Sequence, residues 1–166
     1  MSNEIERKFK VKRLPKEILV NIIPLELTQT YLNAPEGEER RVRSIDNETF
    51  IMTIKRAKSS DGLIREEIEK EISREDYELF LHDKIGTQIK KSRYKIPAEN
   101  DLVYELDIYH DNLDGLMVVE VEFANEELAN NFVKPNWFGR EVTDNKDYKN
   151  ASLAKKGMPK DYIAHE

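Results

Sequence analysis

The chain has 166 residues, 39% hydrophobic and 36% charged, with a formal net charge of −6 and no cysteine. That length suits one domain over residues 1–166 with a real core, and the apolar share is too high for intrinsic disorder. The acidic balance argues against general nucleic-acid or anionic-membrane binding, though not against a local basic site, and the missing thiols exclude disulfides and cysteine nucleophiles.

Short alternating segments broken by turn residues dominate the chain, which is a strand signature. Strands are expected near Glu4–Val11, Leu25–Leu32, Arg40–Ile45, Thr49–Arg56, Ile64–Ile72, Thr87–Ile96, Val103–Tyr109 and Met117–Phe123. SIDNET and KSSDGLI carry the Asp, Asn, Ser and Gly of tight turns, so they are read as hairpin links. A short helix is expected over Pro15–Ile23, and SREDYELFLHDKI offers Ser73 as an N-cap ahead of an apolar stripe. Two more helices are expected, over Asn125–Phe132 and over Lys146–Lys156, the second closed by Gly157. The three histidines, His82, His110 and His165, show no metal-ligand spacing, so zinc or Ser-His-Asp chemistry is not expected. The opening residues carry charge in place of a hydrophobic signal core. No stretch approaches the roughly 18 apolar residues of a membrane span, so a soluble cytoplasmic protein is expected.

On a strand, successive side chains point to opposite faces. Glu4, Glu6 and Lys8 therefore share one face, with Ile5 and Phe9 on the other. The same parity groups Arg41 with Arg43, sets Lys55 opposite Phe50, Met52 and Ile54, and aligns Arg65, Glu67, Glu69 and Glu71. It also joins Lys91 to Arg93, Glu105 to Asp107 and Glu120 to Glu122, and it leaves Arg40, Arg56 and Lys90 outside the set, as surface charges. One reading makes these faces the wet side of an ordinary antiparallel sheet. The other closes the eight strands into a barrel with the charges inward. Sorting of acid and base onto different strands favours the second, because a solubilising surface usually mixes signs. A lumen of that kind suits a polyanion held together with a hard divalent cation.

The Glu-x-Glu-x-Lys of Glu4, Glu6 and Lys8 is followed in order by QTYL at 29–32, RVR at 41–43, TIK ending in Lys55, REEIE at 65–69, KSRY at 91–94 and YELD at 104–107. DGLMVVEVEF, WFGREVT and a Y.N..L pattern from Tyr148 complete the series. On these motifs the chain resembles the CYTH superfamily of triphosphate tunnel metalloenzymes, which includes thiamine triphosphatases and class IV adenylyl cyclases. The resemblance implies a mainly β, α+β fold: an eight-stranded antiparallel closed β-barrel with a charged lumen and a few flanking helices. It implies Mg²⁺ or Mn²⁺ on Glu4, Glu6, Glu120 and Glu122, and a phosphate cradle of Lys8, Arg41, Arg43, Lys55, Lys91 and Arg93. Lys8, Glu67, Glu69 and Asp107 become candidate catalytic residues, the three acids by holding a second metal, orienting water or pairing with bases. The C-terminal helix resembles a plug at one tunnel end, with Tyr148, Lys155 or Lys156 reaching inward. Trp137 and Phe138 are read as core anchors, and Tyr31 as either lining or packing.

The activity implied is hydrolysis of a small-molecule triphosphate, with inorganic triphosphate as the first substrate, by a monomer or homodimer with no nucleic-acid or membrane partner. The alternatives are a class IV adenylyl cyclase, a thiamine triphosphatase, or a non-catalytic polyphosphate- or nucleotide-binding module.

Overall fold

A computed structural model of the chain describes residues 5–58 and 65–166. It contains one nine-stranded antiparallel sheet built from β1 (Ile5–Val11), β2 (Leu25–Leu32), β3 (Glu38–Ile45), β4 (Thr49–Ala57), β5 (Arg65–Ile72), β6 (Lys84–Pro97), β7 (Val103–Tyr109), β8 (Met117–Phe123) and β9 (Phe138–Glu141). The strands run β5-β4-β3-β2-β6-β7-β8-β1-β9 across the sheet. Four short helices accompany it: α1 (Lys16–Leu19), α2 (Arg74–Phe80), α3 (Glu126–Asn130) and α4 (Asn150–Lys156). None of them is long and apolar enough to cross a membrane.

The mainly β architecture and the eight expected strands are present. The sequence reading missed β9, a four-residue strand that adds to the free side of β1 through Phe9↔Glu141 and Val11↔Phe138. Among the described residues no ladder joins β5 to β1 or β9, so backbone hydrogen bonds do not close the ring. The sheet nevertheless curls until Glu6 and Lys8 of β1 and Glu67 of β5 line the same cavity. Most of the expected KSSDGLI turn lies outside the described residues, as does Glu4. The SIDNET turn forms as expected, with Asp46 and Asn47 both at positive φ, a conformation these two residue types tolerate best after glycine.

Strand parity decides what each face meets. Outward-facing Phe9, Val11, Leu106, Val119, Val121 and Phe123 pack with Trp137 and Phe138, which are core anchors as expected. A second outer cluster, Leu32, Val42, Phe50 and Met52, is covered by Tyr77 of α2. The Ser73 hydroxyl caps that helix, accepting from the Asp76 amide at 3.0 Å. The third cluster lies on the inward face. Tyr31, Ile89, Tyr109 and Val118 share parity with the lumen charges, and there they pack against Leu153 and Ala154 of α4. The lumen thus changes along its length from charged to apolar, and α4 seals the apolar end.

The expected helix over Lys146–Lys156 is in fact a 3-10 turn at Lys146–Tyr148 followed by α4, because Lys149 between them is extended (φ −73°, ψ 142°). The seat for α4 depends on Gly86. Its φ is +68°, and a Cβ there would lie 2.7 Å from the Ala154 carbonyl oxygen. Gly86→Ala is therefore expected to cost about 1–3 kcal/mol of stability through strain and displacement of α4. Urea denaturation measures this, and an unchanged midpoint would contradict the seating described.

Candidate active site

A cavity of about 460 Å³ fills the charged part of the lumen. Six cations line it, Lys8, Arg41, Arg43, Lys55, Arg93 and Lys149, together with five carboxylates, Glu6, Glu39, Glu67, Glu105 and Glu120. Gln29, Tyr31, Asn150 and Ala151 complete the wall.

Most of the charges sort by strand, with two exceptions, Glu39 beside Arg41 on β3 and Lys8 beside Glu6 on β1. Arg41, Arg43 and Lys55 project from the adjacent strands β3 and β4, where Arg43 sits opposite Gln29 and Arg41 opposite Tyr31 in the ladder with β2. The Nε atom of Arg43 is buried and has no hydrogen-bond partner. Burial, then the charges of Arg93 and Arg41, lower the proton affinity of its guanidinium. The charges of Glu69 and Glu105 pull the other way without offsetting this. Tyr31 both lines the cavity and packs below it, and its hydroxyl accepts from the Gln29 amide at 2.9 Å.

Arg93 is fixed from beneath. Its Nε and one terminal nitrogen reach the two oxygens of Asp107 at 2.8 and 3.0 Å, and Glu105 lies 3.5 Å from the other terminal nitrogen. Lys91 binds the same Asp107 at 2.8 Å. Burial would raise the pKa of Asp107, but the charges and hydrogen bonds of Lys91 and Arg93 hold it down at about 2. The structure therefore places Lys91, expected in the phosphate cradle, below the cavity with its side chain 1% exposed. Asp107, a candidate catalytic group, is spent on two cations at the same level.

Carboxylates gather on the opposite wall. In the ladders, Glu6 faces Glu122, Lys8 faces Glu120, and Glu120 also faces Glu105. A hydrogen bond with Glu120, then burial and the charges of Glu120 and Glu122, push the pKa of Glu6 up to about 8, against the pull of Lys8. This crowding of like charges favours a proton shared between the acids. The donors are all hard oxygens, so Glu6, Glu120 and Glu122 fit a divalent ion such as Mg²⁺ or Mn²⁺. Among the described residues no three acidic or histidine side chains already stand in coordinating positions, and the fourth expected ligand, Glu4, lies outside them. Glu67 lines the cavity near this wall, whereas Glu69 and Glu122 are exposed and not part of the lining.

The floor comes from the chain just before α4. Lys8 Nζ donates to the Tyr148 carbonyl at 3.1 Å, and Asn150 accepts from the Tyr109 hydroxyl at 2.9 Å. Tyr148 itself turns away from the lumen, its hydroxyl meeting Asp161 at 3.2 Å, and Lys155 and Lys156 are not in the lining. Lys149 and Asn150 take the place expected of them. Sequence reasoning passed over Glu39 and Glu105 as well, although both share strand parity with residues it selected. For Asn150 the available signal was the Y.N..L pattern.

Comparison with known proteins agrees with this architecture. The family model for the CYTH domain matches residues 2–155. The chain is 41% identical to the inorganic triphosphatase of Nitrosomonas europaea over 152 residues, covering 91% of this chain and 96% of that protein. It is 34% identical to the inorganic triphosphatase of Acetivibrio thermocellus over 161 residues, covering 93% and 95%. A crystal structure of an inorganic triphosphatase superposes with a TM-score of 0.71 at 36% identity, covering 93% of this chain and 95% of that one. With a family match over nearly its whole length and relatives aligned almost end to end, the chain belongs to the CYTH domain family.

Proposed function

We propose that this protein is a divalent-metal-dependent triphosphatase that hydrolyses inorganic triphosphate to diphosphate and phosphate. The observation that carries the reading is one cavity lined by Arg41, Arg43 and Lys55 from β3 and β4 and by Glu6 and Glu120 from β1 and β8. Relatives at 41% and 34% identity are inorganic triphosphatases, which supports the same substrate. The lining offers no apolar slot for a nucleobase or thiazole ring, which favours the inorganic substrate over ATP or thiamine triphosphate.

Phosphoryl transfer proceeds through a loose transition state, so catalysis rests on positioning and charge stabilisation. Arg43 and Arg41 bind phosphate oxygens. Arg93, locked by Asp107, offers a guanidinium that need not reorganise as charge builds on the bridging oxygen. Glu6, Glu120 and Glu122, with Glu4 as the fourth ligand expected from the sequence, would hold Mg²⁺ or Mn²⁺, which would supply Lewis-acid stabilisation of developing negative charge. Glu67 orients the attacking water. Water adds to the terminal phosphorus, the bridging P–O bond breaks, and its electron pair leaves on diphosphate.

Purified protein should release phosphate from inorganic triphosphate with Mg²⁺ or Mn²⁺ and stop when the metal is chelated. A Glu6→Gln, Glu120→Gln double variant that matched the native rate would refute the metal assignment. Arg43→Ala should lower kcat/KM by about 10- to 150-fold, the worth of a hydrogen bond to a charged group, with Arg43→Lys recovering only part. A steady-state comparison of the three proteins measures this. Because Glu6 holds a proton up to about pH 8, metal binding must expel it. Apparent Mn²⁺ affinity should therefore rise about tenfold per pH unit below that value and level off above it. Glu6→Gln should flatten the slope in a calorimetric titration.

A further inference from the structure

We propose that Asn150 holds the terminal phosphoryl group of the substrate, with Tyr109 setting the orientation of its amide. This rests on the cavity being the triphosphate site.

Asn150 lines the cavity floor, and Oδ1 accepts from the Tyr109 hydroxyl at 2.9 Å. Tyr109 is 1% exposed and packed among Tyr31, Ile89, Val118 and Leu153, so its hydroxyl has one polar outlet. Were the amide reversed, Nδ2 would donate to the phenol oxygen and the phenol proton would lose the one acceptor it has. The orientation observed satisfies the hydroxyl and leaves both Nδ2 hydrogens available. Among the described residues Nδ2 has no other partner, and it is not sealed from the cavity.

The floor also has the right neighbours. Lys149 lines the cavity next to Asn150, and Lys8 is held to the same segment through the Tyr148 carbonyl. A linear triphosphate lying along the lumen must end somewhere. Tyr109 and the apolar plug stop it at this level, where an end phosphate carries more charge and more acceptor oxygens than a bridging one. A neutral donor with fixed direction between two lysines recognises that end group. The carboxylate wall is left for the metal-bound part of the chain.

Asn150→Asp and Asn150→Ala separate this role from a structural one. Asp keeps the Oδ1 acceptor for Tyr109 and replaces the two N–H donors with an anionic oxygen. Ala loses the Tyr109 contact but adds no charge. The proposal ranks triphosphate affinity as Asn above Ala above Asp, with KM and the calorimetric Kd for inorganic triphosphate raised about 10-fold by Ala and about 100-fold by Asp. A purely structural role ranks Asp above Ala in both melting temperature and affinity. Asp affinity equal to or better than Ala affinity overturns the proposal. Should Asn150→Asp not fold, Tyr109→Phe carries the test: it leaves the amide in place but free to turn, so KM should rise several-fold at little cost in kcat. An unchanged KM there also overturns it. If the native protein binds triphosphate without turnover, the hydrolase reading falls, while the Kd ranking still decides the role of Asn150. If it does not bind triphosphate at all, both fall.

Discussion

Asp107 is held between Lys91 at 2.8 Å and the forked guanidinium of Arg93, in a position almost closed to solvent. The rest of the site depends on this contact, because it lies where the barrel changes character. Above it the lumen is polar, and Arg93 lines the cavity with its remaining terminal nitrogen 3.5 Å from Glu105. Below it Tyr109, Ile89 and Val118 form a dry core under α4. A buried ion pair gives little net stability compared with an apolar packing of the same volume. Losing one partner is another matter, because it strands the others without water, at a cost of about 3–5 kcal/mol. The arrangement holds Arg93 still, and a still cation is what a phosphate site needs.

The faces of the strands were legible in the sequence because the side-chain period of a strand leaves no choice once the sheet curls. Glu6, Lys8, Arg41, Arg43, Lys55, Glu67, Arg93 and Glu120 were all selected on parity and motif, and all line one cavity. Depth was not legible. Parity assigns a residue to the lumen without saying how far along it lies, so Lys91 and Asp107 were grouped with groups a rung nearer the mouth. Glu69 and Glu122 lie nearer solvent, outside the cavity lining. Two other features escaped for local reasons. β9 is four residues with a glycine inside, too short to show alternation, and it exists because β1 offers it an edge. Lys149 and Asn150 were hidden by an apparent continuous helix that an extended residue breaks in two.

Charge in the empty cavity is not arranged for stability. Arg43 keeps a buried nitrogen unsatisfied, and Glu6 keeps a proton that a carboxylate in water would lose. Each is the signature of a partner of opposite sign expected nearby, an anion in one case and a cation in the other. Both residues line the same cavity. A metal–triphosphate complex meets both together, whereas a free metal or a free anion meets only one.

The far edge of the sheet has its own logic. Among the described residues β5 pairs only with β4, so its other side presents open backbone donors and acceptors. Such an edge invites a second copy of the same strand to add on and continue the sheet into a fibre. In an antiparallel self-pairing, opposing residues share a face. If the inward faces align, Glu67 meets Glu71 and Glu69 meets itself, and like charges repel. If the register slips by one, Glu67 and Glu71 fall opposite Ile72 and Ile68 and apolar groups are lost to charge, although Glu69 then meets Lys70. The acidic row that helps form the mouth of the site thus also guards the molecule against its own copies.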